Sequence, residues 1–222
     1  DLTGVDTIKN ESTGQAFITV DDNGENSITI YSGANFDFGP KEITKKSDLI
    51  TNSDFVIAQF ETPISATTKA FELAQPAGVK TILNPAPAEE HIPKDLLQAT
   101  DIITPNETEA ETITGIKVSD KISAKKAAEK LHAFNVSVVI ITIGSKGVFY
   151  DYRGKSEVVP AFKVKAVDTT AAGDTFIGAL GSMLKPDFSN LKQAILFANK
   201  ASSLTVQRYG AQSSIPYKKE IK

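Results

Sequence analysis

The sequence has no cysteine and no tryptophan in its 222 residues, and only one methionine and two histidines. The absence of cysteine excludes disulfides, zinc–thiolate sites and thiol catalysis, and it is consistent with a reducing compartment, so we expect a cytoplasmic protein. Neither His91 nor His132 lies in a pattern that predicts a metal site or acid–base catalysis. Both histidines are therefore expected to be structural or exposed.

Long apolar runs and an excess of one charge are also missing. The longest apolar run, residues 138–143, is far too short to cross a bilayer. A total of 24 Lys and Arg against 27 Asp and Glu gives a net charge of −3, which offers no basic surface to nucleic acid or an anionic membrane. We therefore expect neither as a partner. A hydrophobic content of 41% is enough to bury one large core, with or without a small appendage.

Short apolar runs and helical patterns alternate along most of the chain. Strands are predicted over residues 55–60, 79–84, 101–104, 138–143, 147–152 and 157–162. Helices are predicted over residues 63–75, 93–99, 106–114, 123–134, 173–184 and 190–208. Because alternating strands and helices build a parallel sheet with helices on both faces, we expect a three-layer α/β/α fold with a mostly parallel central sheet. Ligands of such folds collect at the carboxyl ends of the strands.

The first part of the chain has a different pattern. Residues 15–20 and 27–31 alternate apolar with polar side chains around residues 21–24, whose Asn-Gly pair is a strong hairpin signal. We therefore expect a small β hairpin within about residues 13–33. A hairpin alone is only marginally stable in water, so it either packs on the core as an edge hairpin or pairs with further strands.

The most informative segment, residues 168–174, reads Asp-Thr-Thr-Ala-Ala-Gly-Asp and leads into an apolar helical pattern. A turn of small residues that opens a helix presents unpaired N–H groups at the positive end of the helix dipole, where an anion can bind. Asp174 would place a carboxylate beside that anion. From the residues alone, an ordinary N-terminal cap is the alternative, because Asp and Thr are favoured at that position.

This segment resembles the second signature of the ribokinase-like family of carbohydrate kinases. Further blocks similar to that family follow in the same order over residues 12–14, 33–35, 84–88, 104–111, 142–147 and 205–216. The Asn-Pro-Ala-Pro-Ala and Gly-Ala-Gln-Ser-Ser-Ile-Pro blocks favour the ribose-phosphorylating members. Such members also carry an upstream strand with a sugar-binding aspartate and a Gly-Gly-Lys-Gly-Ala-Asn motif, which this sequence lacks. Because the chain opens on Asp1, we expect a part of a longer protein without its N-terminal segment.

The resemblance implies ATP-dependent phosphorylation of D-ribose at its terminal 5-hydroxyl, which gives ribose 5-phosphate and ADP with the help of Mg²⁺ and K⁺. A kinase for another small sugar or a nucleoside, and a non-catalytic nucleotide- or sugar-binding domain, are the alternatives. In the family the hairpin belongs to a lid that closes over the sugar and meets the lid of a second subunit, which implies a homodimer. We expect the 222-residue chain alone to bind ATP weakly, to leave ribose unphosphorylated and to self-associate through its hairpin.

The resemblance also implies the catalytic roles. Phosphoryl transfer needs a group that accepts the hydroxyl proton and donors for the charge that develops on the phosphoryl group. Asp174 matches the base, which also contacts the sugar, and the N–H groups of Ala171, Ala172 and Gly173 match the anion hole. Glu61 matches a glutamate that contacts ribose hydroxyls. Without the resemblance, Glu61 would be a capping or solvent-facing residue.

The nucleotide site is implied by further matches. Asn106 and Glu109 form a capping box by their spacing alone, whereas the resemblance places them near the ATP phosphates and their Mg²⁺, through water. Glu107 and Glu111 are expected on the solvated helix surface. The resemblance places Asn199 near the purine ring of ATP, at a position where some relatives have a histidine. The remaining residues matched to the family's ATP site are Thr142, Ile143, Gly144, Ser145, Lys146, Gly147 and Gly173.

Six residues match positions that surround a monovalent cation in the family, several of them through backbone carbonyls. They are Asp168, Thr170, Thr205, Arg208, Gly210 and Ser214. Hard oxygen ligands suit such an ion, which would stabilise the anion hole beside it. From the residues alone, Gly210 marks only the turn that ends a helix.

Overall fold

The computed structural model describes residues 1–20 and 26–221. Its first element is an antiparallel hairpin of β1 (Gln15–Val20) and β2 (Asn26–Tyr31), which forms a sheet of its own. Both strands agree with the sequence prediction to within one residue. The predicted Asn-Gly turn between them, at residues 23 and 24, lies outside the described residues.

Six further strands form the central sheet, and their spatial order follows their order in the chain. They are β3 (Phe55–Ala58), β4 (Lys80–Leu83), β5 (Ile102–Ile103), β6 (Val138–Thr142), β7 (Val148–Tyr152) and β8 (Lys155–Val159). β3 to β6 pair in parallel, and β6, β7 and β8 pair antiparallel. The prediction of a mostly parallel sheet is therefore confirmed, with an antiparallel edge.

The helices connect the parallel strands and extend beyond the sheet. They are α1 (Pro40–Lys45), α2 (Ser47–Thr51), α3 (Ile64–Ala74), α4 (Lys94–Gln98), α5 (Glu107–Thr114), α6 (Lys121–His132), α7 (Ala172–Met183) and α8 (Leu191–Thr205). The sequence patterns predict all of them except α1 and α2. No helix in the described residues is long and apolar enough to cross a membrane.

Alternate residues of the same strands pack against two separate helical layers, because successive side chains point to opposite faces of a sheet. On β4, Leu83 packs in the cluster that includes α1 and α3 to α6. Its neighbour Ile82 packs in the cluster that includes α7 and α8. Both side chains are fully buried, and each contributes about 1.5–3 kcal/mol of hydrophobic stabilisation. The two clusters make the three-layer α/β/α arrangement that the sequence predicts.

The last strand differs from its prediction over residues 157–162, since β8 begins and ends earlier. Arg153 and Gly154 form a two-residue turn with φ of 52° and 73°, which is the left-handed geometry of tight hairpins. Pairing with β7 therefore resumes at Lys155. Pro160 directly follows the strand and has no N–H to donate to a ladder, which accounts for the early end.

The carboxyl ends of the parallel strands meet at one edge of the sheet. Gln59, Asn84 and Thr104 follow β3, β4 and β5 directly, and β6 ends at Thr142. α7 begins at the same edge, where Asp174 in its first turn contacts Gln59. Polar residues that are far apart in the sequence are thereby brought together, as expected for ligand sites of this fold class.

Candidate active site

The N-terminus of α7 is built from small residues in an unusual backbone geometry. Ala171 caps the helix with φ of 59°, in the left-handed region, so that the chain turns sharply into the helix. The N–H of Ala172 points at the Thr169 carbonyl at 3.3 Å, and no acceptor among the described residues takes the N–H of Gly173. A Cβ on Gly173 would meet open space. The helix therefore offers room and a donor for an anion at its positive end.

A cavity of about 560 Å³ opens in front of this helix end. Its walls come from the loop after β6, the segment after β8, the start of α7 and one side of α8. Lining residues with polar side chains include Asn106, Glu107, Thr142, Ser145, Asn199 and Ser202. Apolar contact surface is provided by Val148, Phe162, Val164 and Phe176. An apolar pocket with a few convergent polar groups is the usual form of a small-molecule site, and this volume suits a nucleotide.

The predicted ATP loop forms one wall of this cavity. Thr142, Gly144, Ser145 and Gly147 line it, as predicted. Ile143 instead packs against the hydrophobic core, and Lys146 donates from Nζ to the Ser119 carbonyl at 3.2 Å. These two residues therefore hold the loop in place, and the structure does not put their side chains in the cavity wall.

Gly147 lies where the loop after β6 touches the segment after β8, and only glycine fits at this position. Its φ is 108°, and a Cβ there would lie 2.1 Å from the Val159 carbonyl oxygen and 2.6 Å from the Ala161 nitrogen. No side chain fits between the loop and the segment after β8. The glycine thus allows two segments that line the cavity to touch through their backbones.

Asn199 on α8 joins the same wall and is 8% exposed. Its amide donates to the carbonyls of Val159 and Pro160, both at 3.3 Å. This side chain therefore fixes the segment after β8 while lining the cavity. Its contact with a purine stays a prediction.

The Asn106–Glu109 pair is a complete capping box, the structure that spacing alone predicts. The Glu109 N–H donates to Asn106 Oδ1 at 2.8 Å, and the Asn106 N–H donates back to Glu109 Oε2 at 2.8 Å. The Asn106 amide also donates to Glu109 Oε1 at 2.8 Å. Burial raises the pKa of the Glu109 carboxyl, against the opposing effect of the Asn106 N–H. A role of Glu109 toward magnesium stays a prediction.

Glu107 departs from its expected place. The prediction put Glu107 and Glu111 on the solvated surface of the helix, and Glu111 is indeed exposed. Glu107 is half-buried and lines the cavity beside Asn106. β5 ends at the edge of the sheet where the cavity lies, so the first turn of α5 carries Glu107 toward the cavity. A local sequence pattern does not show which edge of the sheet a strand reaches.

Asp174 lies on the other side of the α7 terminus from the 560 Å³ cavity. Gly173 lines the 560 Å³ cavity, whereas Asp174 lines a separate cleft of about 250 Å³ with Ile57, Gln59 and other residues. The exposed carboxylate accepts a hydrogen bond from Gln59 Nε2 at Oδ1, at 3.3 Å. Sequence analysis missed Gln59 because it lies inside the strand predicted over residues 55–60, whereas β3 ends at Ala58. Glu61 is exposed in the loop after β3.

The predicted cation residues lie in two adjoining segments. The Asp168 carboxylate joins them, since Oδ1 accepts from the Thr170 N–H at 2.9 Å and Oδ2 from the Gly210 N–H at 3.0 Å. Hydrogen bonds from the Thr170 hydroxyl and then from these N–H groups lower the pKa of Asp168. The Arg208 guanidinium donates to Glu220 at 2.6 Å and to the Ser214 carbonyl at 3.5 Å, so its side chain already has partners.

The hydroxyls of the other two cation candidates are also engaged. Thr205 donates to Thr175 at 3.0 Å, and Ser214 donates to the Ala211 carbonyl at 2.6 Å. Backbone carbonyls are therefore the oxygen atoms that this region offers a cation. Among the residues that the structure describes, no group of three or more His, Asp and Glu is arranged to hold a metal ion.

Known proteins with similar sequences and structures cover nearly the whole chain. The ribokinase of Staphylococcus aureus (strain COL) is 51% identical over 209 residues, which are 94% of this chain and 68% of that protein. The ribokinase of Haemophilus influenzae is 45% identical over 220 residues, which are 99% of this chain and 71% of that protein. A structure of Arabidopsis thaliana ribokinase complexed with ribose and ATP has a TM-score of 0.86 at 33% identity, covering 96% of this chain and 69% of that one.

The chain thus spans about two thirds of the length of these relatives. The pfkB family carbohydrate kinase profile matches residues 1–218. The predicted resemblance to ribokinase-like kinases is confirmed by this match and by the identity of the relatives. The chain belongs to the pfkB family of carbohydrate kinases.

Proposed function

We propose that this protein is a ribokinase, which transfers the γ-phosphoryl group of ATP to the 5-hydroxyl of D-ribose and releases ADP and ribose 5-phosphate. The observation that carries the proposal is the position of the α7 terminus between the 560 Å³ cavity and the Asp174 cleft. The relatives at 51% and 45% identity are named ribokinases, and the Arabidopsis thaliana ribokinase structure is a complex with ribose and ATP.

The chemistry follows from that position. ATP occupies the large cavity, with its terminal phosphate at the N–H groups that open α7, which are Ala171, Ala172 and Gly173. Oriented N–H groups stabilise the negative charge that develops on the transferred phosphoryl group. Asp174 accepts the proton of the attacking hydroxyl from the opposite side, and Glu61 binds the sugar hydroxyls. Positioning and charge stabilisation then supply most of the catalysis, as in phosphoryl transfer generally.

Magnesium is part of the proposal as the ion that accompanies ATP. Both oxygens of Glu109 already accept hydrogen bonds from Asn106, so this pair fits an ion bound through water. Glu107 is the carboxylate that lines the cavity, next to Asn106. Mg²⁺ retains several waters in such sites, and it neutralises phosphate charge when bound. Asn106, Glu107 and Glu109 would orient those waters.

A monovalent cation, K⁺, is proposed to bind between residues 168–170 and residues 205–214. Support comes from the Asp168 carboxylate, which ties the two segments together, and from the backbone carbonyls that they carry. Replacing K⁺ with a bulky organic cation such as tetramethylammonium is expected to lower turnover. Unchanged turnover after this exchange would contradict the proposed K⁺ site.

The hairpin is proposed to act as a lid that pairs with the lid of a second subunit. Cross-strand register places Ala16, Ile18, Ile28 and Ile30 on one face of the hairpin. Ile28 and Ile30 are both 50% exposed, and an exposed apolar β surface is a site where strands from elsewhere bind. A homodimer and a cytoplasmic location stay predictions.

The test is sugar-dependent release of ADP by the full-length protein with ATP and Mg²⁺. We expect D-ribose to support release far better than other small sugars or nucleosides, and ribose 5-phosphate to be the product by mass spectrometry. If another acceptor supported faster release of ADP than ribose, that acceptor would become the proposed substrate. Binding of ATP without turnover of any acceptor would favour a non-catalytic binding domain and contradict the proposal.

A further inference from the structure

A line of hydrogen bonds runs from the interior of the sheet to the Asp174 carboxylate. The Asn84 amide donates from Nδ2 to the Thr104 carbonyl at 2.7 Å. Gln59 Nε2 donates to Asn84 Oδ1 at 2.8 Å, and the same nitrogen lies 3.3 Å from Asp174 Oδ1. We call this line the amide relay. It joins the ends of β3, β4 and β5 to the first turn of α7.

The direction of the relay is set by its innermost member. A backbone carbonyl can only accept, so the amide nitrogen of Asn84 must face Thr104 and its oxygen must face Gln59. Gln59 must then turn its NH₂ group toward Asn84, which leaves the second hydrogen for Asp174. The Thr104 carbonyl therefore determines that Asp174 receives a donor at Oδ1.

Burial decreases along the relay from its anchor to its end. Asn84 is 7% exposed, Gln59 is half-buried, and Asp174 is exposed. A carboxylate exposed on a helix surface ordinarily samples several rotamers, and holding one of them costs side-chain entropy. A donor whose own position is fixed from the protein interior selects one orientation of that carboxylate.

From these contacts we propose that Gln59 is a positioning residue that holds the Asp174 carboxylate in orientation for proton transfer. The inference rests on the proposed function, in which Asp174 accepts the hydroxyl proton. The Gln59 donor contacts Oδ1 and leaves Oδ2, which accepts no hydrogen bond from the described residues, to receive the proton. An amide performs this task without placing a positive charge beside the base, as Lys or Arg would. Asn84 supports Gln59 from behind.

The kinetic test compares variants of the full-length protein in two backgrounds. Gln59→Met keeps the length of the side chain and removes its donor, whereas Gln59→Glu keeps the shape and turns an acceptor toward Asp174. Gln75→Met is the matched control, since Gln75 is an exposed residue whose amide donates to the Gln98 carbonyl at 3.4 Å and to no other acceptor in the described part of the chain. Each substitution is made in the wild type and in an Asp174→Ala background, and kcat and KM are measured for ATP and ribose.

We expect Gln59→Met to lower kcat about 10- to 100-fold, with the KM for ATP within about twofold of the wild type. Gln59→Glu is expected to lower kcat further, and Gln75→Met to leave it unchanged. In the Asp174→Ala background, Gln59→Met is expected to have no further effect, because no carboxylate remains to be positioned. A wild-type kcat in Gln59→Met, or the same fold-loss in both backgrounds, would overturn the inference.

A second measurement does not depend on turnover. The side-chain amide signals of Gln59 and Gln75 are followed by ¹H–¹⁵N NMR in the wild type and in Asp174→Ala. We expect the Gln59 amide to shift and to exchange faster with water in the variant, while the Gln75 signals stay in place. An unmoved Gln59 signal would show that the contact is absent. If the wild type failed to phosphorylate any sugar while the Gln59 signal moved, the proposed function would fail and the contact would stand.

Discussion

The wall of the nucleotide cavity and the β1–β2 hairpin are built in opposite ways. At the cavity, Gly147 lets backbone touch backbone and the buried Asn199 amide bonds two carbonyls. At the hairpin, Phe17 is 58% exposed and Ile28 is 50% exposed. The cavity is preformed by contacts within the chain, whereas the hairpin presents apolar surface that those contacts leave uncovered. Under the proposed function, nucleotide binding is expected to depend on packing within the chain, and the proposed role of the hairpin as a lid on association with a second subunit.

The hairpin is nevertheless firmly held at its base. The Ala34 N–H donates to the Ser12 carbonyl at 2.9 Å, and a Cβ on Gly33 would lie 2.3 Å from that same oxygen. A fixed base with an exposed apolar face is the form expected of a surface that another part of an assembly covers.

The largest effect on stability is expected from Gly147→Ala. The new Cβ would meet the Val159 carbonyl oxygen at 2.1 Å in a residue with φ of 108°. We expect a loss of about 3 kcal/mol or more in the free energy of unfolding and a loss of ATP affinity of about tenfold or more. Denaturant unfolding and titration with a fluorescent ATP analogue measure the two quantities.

Gly154→Ala is the matched control for that prediction. Gly154 has φ of 73°, but a Cβ there meets open space. It is expected to cost about 1 kcal/mol from backbone strain alone and to leave ATP affinity unchanged. Equal costs for the two substitutions would contradict the close packing described for the cavity wall.

An intermediate effect is expected from the hairpin. The double substitution Ile28→Ser and Ile30→Ser removes two apolar side chains from one face, and we expect it to weaken self-association about tenfold or more. Affinity for ATP should stay the same. Sedimentation velocity measures association, and Ile122→Ser, at a 71% exposed position on α6, is the control. Association that survives the hairpin substitutions but not the control would place the interface elsewhere.

The smallest effect is expected from Glu109→Gln. Burial raises the pKa of Glu109 in the folded state above the ordinary 4.5, so the folded state binds the proton more tightly than the unfolded state. Its contribution to stability is therefore present below pH 4.5 and is lost as pH rises through the folded pKa. Glutamine should flatten that part of the pH profile and change stability at pH 7 by about 1 kcal/mol or less.

Magnesium dependence separates the two roles of Glu109. A higher Mg²⁺ requirement in Glu109→Gln would support its place near the phosphates, and an unchanged requirement would leave it a helix cap. Glu111→Gln, at an exposed position on the same helix, is the control for a general change of charge. Denaturation against pH and activity against Mg²⁺ concentration are the measurements.

Local patterns in the sequence are sufficient for most of the elements. The apolar runs predict the strands, and the Asn-x-x-Glu spacing predicts the capping box that Asn106 and Glu109 form. The helices α1 and α2 are not predicted by these patterns. β8 begins early because of the tight turn at Arg153 and Gly154, and it ends early because of Pro160. The apolar pattern shows neither effect.

The site is predicted less completely because it depends on which strands become neighbours. Family resemblance points to Asp174 and to the loop that contains Gly147. Gln59 lies far from Asp174 in the sequence, and the packing of α7 beside β3 brings it to that carboxylate. The inward position of Glu107 likewise depends on where β5 ends in the sheet. Contacts between strand ends are a property of topology and are not visible in a segment of sequence.

The central claim is that the α7 terminus separates nucleotide binding from proton transfer, and Asp174→Asn tests it most directly. In the full-length protein, we expect kcat for ribose-dependent ADP release to fall about 10²–10⁴-fold while the Kd for ATP stays within about threefold. Asp48→Asn, at an exposed position on α2, is the matched control and should change neither quantity. Near-normal turnover in Asp174→Asn, or a loss of turnover matched by an equal loss of ATP affinity, would contradict the account.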